Sequence, residues 1–440
     1  MLFRSRLLQL QPHRMRRLSL RHLLRWCDYA RVARHGDDAM SLEARLVSRL
    51  ILGGHVLLLD QLPAAERRAA VHALAPVEAR FSRDAALLHD DPSSEHASDD
   101  GWVVRGSDGS CYLRYLGLRL HAKAAVVEPE NALALGGFVP SVSAVRNLSR
   151  VLIARDTGHA HSLVGPPGIG KSAVVEVAAR LLGRTFTRIS CSAALNVDDL
   201  FGSYRPARGT ASGARVFTLR RGPLSTAVEE EGVVLLDEVN LAPADVLGAL
   251  CGLISTAPDD AFQTRCGSLR RRRTLFVTTM NPVSSGGGRQ ELPPASQSLL
   301  TTVHLQRFGE SEVRAIAERT ACATACRRAD GVADGGADGS AALPLFDVVL
   351  DLCLHLGDEV PTIGARHNLR TLQAVASVLN AVDWSAVHTM AQRDYLHLTC
   401  LMLVFAAGVR AQVRAAVEDA IARRLYPELS EADRATRLGQ

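Results

Sequence analysis

The chain has 440 residues, of which 47% are hydrophobic, so it can form two to four domains of ordinary size and is not disordered throughout. Its formal net charge of +5 is small and indicates no particular class of partner. No apolar stretch approaches the roughly 20 residues that a membrane-spanning helix needs, so we expect no membrane partner.

The first 88 residues are predicted to form a helical subdomain. Apolar residues recur at helical spacing over residues 17–30, and helical patterns continue over 41–60 and 64–79. The first 27 residues are rich in Arg and Leu and contain no acidic side chain. That composition fits either a mitochondrial transit peptide or the basic surface of a helix, and both interpretations stay open.

Residues 89–140 are predicted to connect this subdomain to the next. From residue 89 to 110 the composition shifts to Asp, Ser, Gly and Glu, which predicts a flexible, acidic linker. Apolar residues alternate over 111–128 and predict a small β-hairpin. A helix is expected over 142–155.

Residues 141–310 alternate between strand-like and helix-like segments, a pattern that predicts an α/β fold with a five-stranded parallel sheet. The five strands are expected near 161–164, 186–190, 233–237, 275–280 and 301–305. Residues 311–440 are predicted to be helical. Within them, 328–342 form a Gly-, Ala- and Asp-rich insert that we expect to be disordered.

A phosphate-binding loop is the most specific motif in the chain. It has a glycine, four further residues, Gly-Lys and Ser, and it lies between a short strand and a helix, as the motif requires. Its residues are Gly165, Pro166, Pro167, Gly168, Ile169, Gly170, Lys171 and Ser172. The glycines allow backbone N–H groups to surround a triphosphate, Lys171 is expected to reach the β- and γ-phosphates, and Ser172 to bind Mg²⁺. ATP and Mg²⁺ are therefore the expected cofactors. Lys171 is one of only two lysines in a chain that otherwise uses arginine.

Two further strands end in polar residues that suit the same chemistry. Asp237 and Glu238 follow four apolar residues, so we expect Asp237 to hold Mg²⁺ together with Ser172, and Glu238 to polarise the attacking water. Asn281 follows the next strand and is a candidate to contact the γ-phosphate and that water.

These three features together resemble the AAA+ ATPase superfamily, and the sequence around them is similar to the midasin family of dynein-related AAA+ ATPases. The similar stretches are Asp198-Asp-Leu-Phe-Gly-Ser-Tyr204, Arg221-Gly-Pro-Leu224, Leu236-Asp-Glu-Val-Asn-Leu-Ala-Pro-Ala-Asp-Val-Leu247 and Gly287-Gly-Arg289. The resemblance covers about 140–385 strongly, and it implies that residues 1–88 are the helical lid of a preceding module. Arg370 then matches the lid arginine that contacts the γ-phosphate. The chain would be a piece of a longer ring.

The same resemblance implies an ATP-driven remodelling protein of the nucleus. The implied partners are neighbouring AAA+ modules, the precursor of the large ribosomal subunit and its assembly factors. One departure concerns residues 292–299, where the family has arginines that reach the neighbouring module's ATP and this chain has none; Arg289 and Arg307 are weak substitutes. A structural module that binds ATP without hydrolysing it is therefore an alternative. A mitochondrial dynein-related AAA+ protein with a von Willebrand A domain is another, and a bacterial MoxR-type ATPase is a weaker one.

Two smaller features are open to more than one interpretation. The run Arg270–Arg273 suits contact with RNA or an import receptor, although a solvated hairpin tip is favoured because no aromatic residues interleave with it. Cys322 and Cys326 lie four residues apart on a predicted helix, and we expect buried free thiols rather than a metal site.

Overall fold

The computed structural model describes residues 20–31, 46, 49–51, 53–54, 59, 69–70, 103–105, 111–115, 118–122 and most of 138–439. Within that last range the description omits 158, 166–167, 207–216, 282–289, 306–307, 320, 331–343, 361–368, 388, 408 and 428. By their internal contacts the residues form two units, one of 1–165 with 171–307 and one of 166–170 with 308–440.

The first unit begins with a helix and a small antiparallel sheet. Their bounds are α1 Leu20–Arg31, β1 Val103–Arg105, β2 Cys111–Tyr115 and β3 Leu118–Ala122. Strands β2 and β3 form the hairpin expected in this region, within 111–122. Strand β1 corrects the prediction that 89–110 is linker throughout, because Val103 pairs with Leu113 and so satisfies its backbone groups in a sheet.

The core of the unit is the expected five-stranded parallel sheet, so the predicted fold class is confirmed. Its strands are β4 Ala160–Val164, β5 Phe186–Ser190, β8 Val233–Asp237, β11 Leu275–Met280 and β12 Leu300–His304. The strands lie in the order β12-β4-β11-β8-β5, and every neighbouring pair is parallel. Each predicted strand lies within one residue of its observed bounds at either end.

The remaining elements of this unit connect the strands. The helices are α2 Val142–Thr157, α3 Lys171–Leu181, α4 Val197–Phe201, α5 Pro223–Glu229, α6 Ala244–Ser255 and α7 Pro294–Leu299. Two antiparallel hairpins are inserted, β6 Gly202–Pro206 with β7 Phe217–Arg221 and β9 Ala261–Thr264 with β10 Gly267–Arg270. All five residues of β8 are buried, as its unbroken apolar sequence predicts for a strand covered on both faces.

Arg271 corrects the favoured prediction that the run Arg270–Arg273 is solvated, although Arg270 and Arg273 are exposed as expected. Arg271 is 6% exposed, donates to the Ile254 carbonyl at 3.0 Å and lies over the Phe276 ring. Its guanidinium is stabilised there because the aromatic face and the carbonyl take the place of the water molecules that would otherwise solvate it. Arg271 therefore serves packing and is not available to RNA.

His161 is a buried titratable group in the central sheet. It is 0% exposed on β4, and its Nδ1 lies 3.0 Å from the His159 carbonyl. Burial lowers the pKa of His161 from 6.5 to about 3, and the nearby Arg25 guanidinium acts in the same direction. Below pH 6.5 this histidine therefore binds a proton in the unfolded chain but stays neutral in the folded chain. Acid thus destabilises the fold.

We expect this histidine to make folding sensitive to mild acid. Between pH 7.5 and 5.5 the native protein should lose about 1.4 kcal/mol more unfolding free energy than His161→Leu, since one pKa unit corresponds to about 1.4 kcal/mol. Urea denaturation of both proteins at the two pH values measures the difference. Equal losses would show that His161 is protonated inside the fold.

The second unit is helical in its described residues. Its helices are α8 Glu310–Glu318, α9 Ala321–Asp330, α10 Pro344–Glu359, α11 Leu369–Asn380, α12 Met390–Leu401, α13 Ala411–Leu425 and α14 Glu431–Gly439. They enclose an apolar core in which Leu352, Leu356, Leu401 and Ile421 are fully buried. Among the described helices, none is long and apolar enough to cross a membrane.

Helix α9 corrects one boundary and shows where the paired cysteines lie. Residues 328–330, predicted to begin the disordered insert, are helical, and Ala329 is buried because it packs in the core of the unit. The rest of the insert, 331–342, lies outside the described residues. Cys322 and Cys326 are both buried in the same core.

Candidate nucleotide-binding site

The strand order brings three of the predicted site segments to one edge of the sheet. Because all five strands are parallel, their carboxyl ends meet there. Strand β11 lies between β4, which leads into the phosphate loop, and β8, which ends at Asp237. Gly165 N–H donates to the Met280 carbonyl at 3.3 Å, so the beginning of the loop is tied to the end of β11.

Lys171 is buried between two oxygen atoms at this edge. Its Nζ donates to the Gly165 carbonyl and to Asn281 Oδ1, each at 2.7 Å. The side chain is 8% exposed, so its charge is stabilised by these acceptors rather than by bulk water. These hydrogen bonds hold the ammonium group beside the loop. Because they are not covalent, phosphate oxygens can replace both acceptors.

Asp237 accepts hydrogen bonds from three side chains. Ser172 Oγ donates to Oδ2 at 3.2 Å, Arg188 Nε donates to the same oxygen at 2.9 Å, and Thr279 Oγ1 donates to Oδ1. Burial would raise the pKa of Asp237, but the hydrogen bonds from Thr279, Arg188 and Ser172 outweigh it and hold that pKa below its ordinary value. Asp237 is therefore an anion next to the Ser172 hydroxyl, and this pair of oxygen donors suits Mg²⁺.

Glu238 and Asn281 are connected directly. Asn281 Nδ2 donates to Glu238 Oε1 at 2.7 Å, while the same amide accepts from Lys171. Glu238 has φ of +55°, a left-handed conformation that is uncommon for a residue with a Cβ. Its N–H donates to Thr279 Oγ1 at 3.1 Å, which fixes the sharp turn after β8. Strain of this kind is often concentrated at functional sites.

The described glycines of the loop have the backbone conformation that the motif requires. Gly168 and Gly170 both have φ of +78°, which side-chain-bearing residues rarely adopt. A Cβ built on Gly170 meets no atom within 4 Å, so the backbone is open there. Pro166 and Pro167 lie outside the described residues. A Lys ammonium, left-handed glycines and an Asp–Ser pair fit a triphosphate with its metal ion.

Three residues of this network were missed at the sequence level. Arg188 lies on the edge strand β5, Thr279 lies two residues before Asn281, and Asn240 donates to the Asn281 carbonyl at 3.2 Å. Side chains alternate between the two faces of a strand, so the sequence indicates on which face of its strand Thr279 or Arg188 lies. That alternation does not indicate which carboxylate either side chain contacts. Asn240 belongs to the Asn-Leu-Ala-Pro stretch, whose spacing carries no chemistry on its own.

The other predicted contacts of the site stay predictions. Arg370 is an exposed residue at the beginning of α11 in the second unit, and its role toward a nucleotide stays a prediction. Arg289 and Arg307 lie outside the described residues. Residues 294–299 form α7, and the arginine that contacts its end is Arg25, which donates to Thr301 Oγ1 at 2.8 Å and to the Ser298 and Leu299 carbonyls at 3.3 Å.

Comparisons with known proteins agree with this geometry. Residues 161–300 match the family described as the AAA domain of the dynein-related subfamily. Midasin of Giardia intestinalis is 35% identical over 150 residues, which are 34% of this chain and 3% of that protein. Midasin of Dictyostelium discoideum is 29% identical over 174 residues, or 39% of this chain and 3% of that protein. The chain is thus matched to only a small part of either midasin.

A Lon protease is also similar to part of this chain. The protein of Salinispora arenicola is 32% identical over 178 residues, which are 39% of this chain and 21% of that protein. Each of these three relatives is matched by little more than a third of this chain. The expected resemblance is confirmed: residues 161–300 match the AAA domain of the dynein-related subfamily, and part of the chain is similar to midasin.

Proposed function

We propose that this AAA+ module binds ATP with Mg²⁺ and hydrolyses it at the edge of the parallel sheet. The observation that carries the proposal is the continuous chain of contacts from Lys171 through Asn281 to Glu238, beside the Ser172–Asp237 pair. This network contains an ammonium, an amide, a carboxylate and two further oxygen donors, and these are the groups that a phosphate, an attacking water and a metal ion would need.

The side chains divide the work as follows. When bound, the nucleotide supplies the phosphoryl group and Mg²⁺ supplies positive charge that offsets the charge on the transferring phosphate. Ser172 and Asp237 would hold the metal ion, and Lys171 would donate to the phosphates. Glu238 would accept a proton from water, and Asn281, already bonded to both Lys171 and Glu238, would orient that carboxylate. Arg370 is proposed as the lid residue that contacts the γ-phosphate.

A second candidate is a module that binds ATP and does not turn it over. The absence of arginine from residues 292–299 favours it, because an arginine supplied to a neighbouring site contributes on the order of 10³–10⁵ in rate. That deficiency concerns the site of a neighbour, however, and the residues of this module's own site are all present. Hydrolysis here would depend on an arginine from an adjoining module.

Glu238→Gln distinguishes the two candidates. We expect the variant to bind ATP as the native protein does and to lose turnover by about 100-fold or more, because the amide cannot accept the proton of the attacking water. Turnover is measured in the assembled ring, with direct ATP titration of both proteins as the control. Equal turnover would support the silent module, and absence of ATP binding to the native protein would reject both candidates.

At the level of the cell we infer that the module belongs to a remodelling protein of midasin type. The proposed partners are neighbouring AAA+ modules and precursors of the large ribosomal subunit with their assembly factors, in the nucleus. The similarity to two midasins supports this proposal. In the Glu238→Gln ring, arrested release should raise the fraction that co-sediments with large-subunit precursors. If the protein accumulates in mitochondria instead of the nucleus, that location would favour the mitochondrial alternative.

A further inference from the structure

The ion pair between Arg188 and Asp237 has no role in the chemistry described so far. Arg188 Nε donates to Asp237 Oδ2 at 2.9 Å, and a terminal nitrogen of the same guanidinium donates to that oxygen as well. Ser172 Oγ donates to the same Oδ2 at 3.2 Å. The guanidinium therefore occupies the oxygen that also faces the Ser172 hydroxyl, where the proposed metal site lies.

The second oxygen of Asp237 is bonded to a different hydroxyl and is not the one beside Ser172. Oδ1 accepts from Thr279 Oγ1, and that hydroxyl in turn accepts the Glu238 N–H at 3.1 Å, so it is fixed by the turn after β8. A cation that binds Asp237 next to Ser172 must then approach Oδ2. To do so it has to replace at least one N–H group of Arg188, since one carboxylate oxygen has about two lone pairs.

The exposure of the two side chains permits that exchange. The Arg188 side chain is 49% exposed, whereas the Asp237 side chain is 11% exposed. Among the described strands β5 is the last of the sheet, so no described strand pairs with its outer edge next to Arg188. A half-exposed guanidinium can rotate into water, and an arriving divalent cation would replace its positive charge beside the largely buried Asp237 carboxylate. Asp237 itself stays in place.

We propose that Arg188 takes the place of the divalent cation at Asp237 when no nucleotide is bound, and gives up that place when Mg²⁺ arrives. This inference depends on the proposed nucleotide site. Arg188 is then a positioning residue that sets how strongly nucleotide binding depends on Mg²⁺. A guanidinium beside the site attracts a metal-free triphosphate and repels a metal ion, so it favours metal-free binding relative to metal-bound binding.

Removing the guanidinium should therefore shift the two affinities in opposite directions. ATP is titrated into the chain in excess Mg²⁺ and again in EDTA, and the ratio of the Kd in EDTA to the Kd in Mg²⁺ is compared. We expect Arg188→Ala to raise this ratio about three- to tenfold, in line with the loss of one half-exposed charge near a polyanion. Arg180→Ala is the matched control, because Arg180 is also a partly exposed arginine paired with a carboxylate, Glu176, at 2.6 Å, and its ratio should not change.

Arg188→Gln separates the charge from folding. Glutamine keeps a hydrogen-bond donor for Asp237 and removes the charge, so it should raise the ratio even if the alanine variant does not fold. A ratio that stays unchanged or falls in a folded Arg188 variant, with ATP binding of the native protein intact, overturns this inference alone. If the native protein binds ATP in neither buffer, the proposed nucleotide site is rejected, and the inference with it.

Discussion

Replacing Lys171 with alanine should lower the affinity of the chain for ATP by at least about 100-fold. The side chain brings a buried ammonium to the phosphate loop, and its two present acceptors, the Gly165 carbonyl and Asn281 Oδ1, can be exchanged for phosphate oxygens. The chain has one other lysine, Lys123. Isothermal titration with ATP and Mg²⁺ measures the loss.

Two further variants keep this test specific. Lys123→Ala removes the other lysine and should bind ATP like the native protein. Lys171→Arg keeps the charge but replaces a compact ammonium with a planar fork, so we expect it to bind weakly as well. Circular dichroism has to show that Lys171→Ala remains folded. ATP binding retained by a folded Lys171→Ala would reject the assignment of the loop.

Replacing Gly222 with alanine should destabilise the fold by about 3 kcal/mol or more. A Cβ on Gly222 would lie 2.1 Å from the Leu200 carbonyl oxygen and 2.7 Å from the Gly202 nitrogen. These are backbone atoms that cannot move aside as a side chain does, so helices α4 and α5 would have to separate. The conformation of Gly222 is ordinary, with φ of −83°, and the cost therefore comes from the lack of space alone.

The chain contains a matched control for this variant. Gly248 lies inside α6, and a Cβ built on it meets nothing within 4 Å. Gly248→Ala should therefore stabilise the protein by about 0.5–1 kcal/mol, the difference in helix propensity between the two residues. Urea denaturation of both variants compares them directly. A Gly222→Ala protein as stable as the native one would show that α4 and α5 can separate at no cost.

The structure shows why two of the stretches similar to the midasin family contain a glycine, which the sequence pattern alone does not reveal. The stretches Leu-Phe-Gly-Ser and Arg-Gly-Pro-Leu contribute Gly202 and Gly222, which lie against each other where the hairpin β6–β7 leaves and re-enters the helical layer. Gly202 also has φ of +108°, and a Cβ there would lie 2.3 Å from the Arg220 carbonyl. These two glycines allow close backbone packing.

The positions of the five core strands could be read from the sequence because strand signals are local. Val233 to Leu236 form an unbroken apolar run, and the strand that precedes Gly165 is bounded by the glycine loop itself. Predictions were less accurate where the deciding contact was distant. Arg271 was expected at a solvated tip, and a carbonyl at position 254 together with the Phe276 ring buries it.

What the sequence determined by itself is the set of parts for the proposed site: the loop that ends in Lys171, the Asp237–Glu238 pair, and Asn281 after a third strand. Each is encoded within a few consecutive residues, since turns, apolar runs and strand ends are local properties of the chain. Only the tertiary structure decided how these parts meet. Placing β11 between β4 and β8 brings Asn281 into contact with both Lys171 and Glu238, and placing β5 beside β8 gives Asp237 its arginine. Lateral strand order depends on how the whole sheet packs, and no short stretch of sequence specifies it.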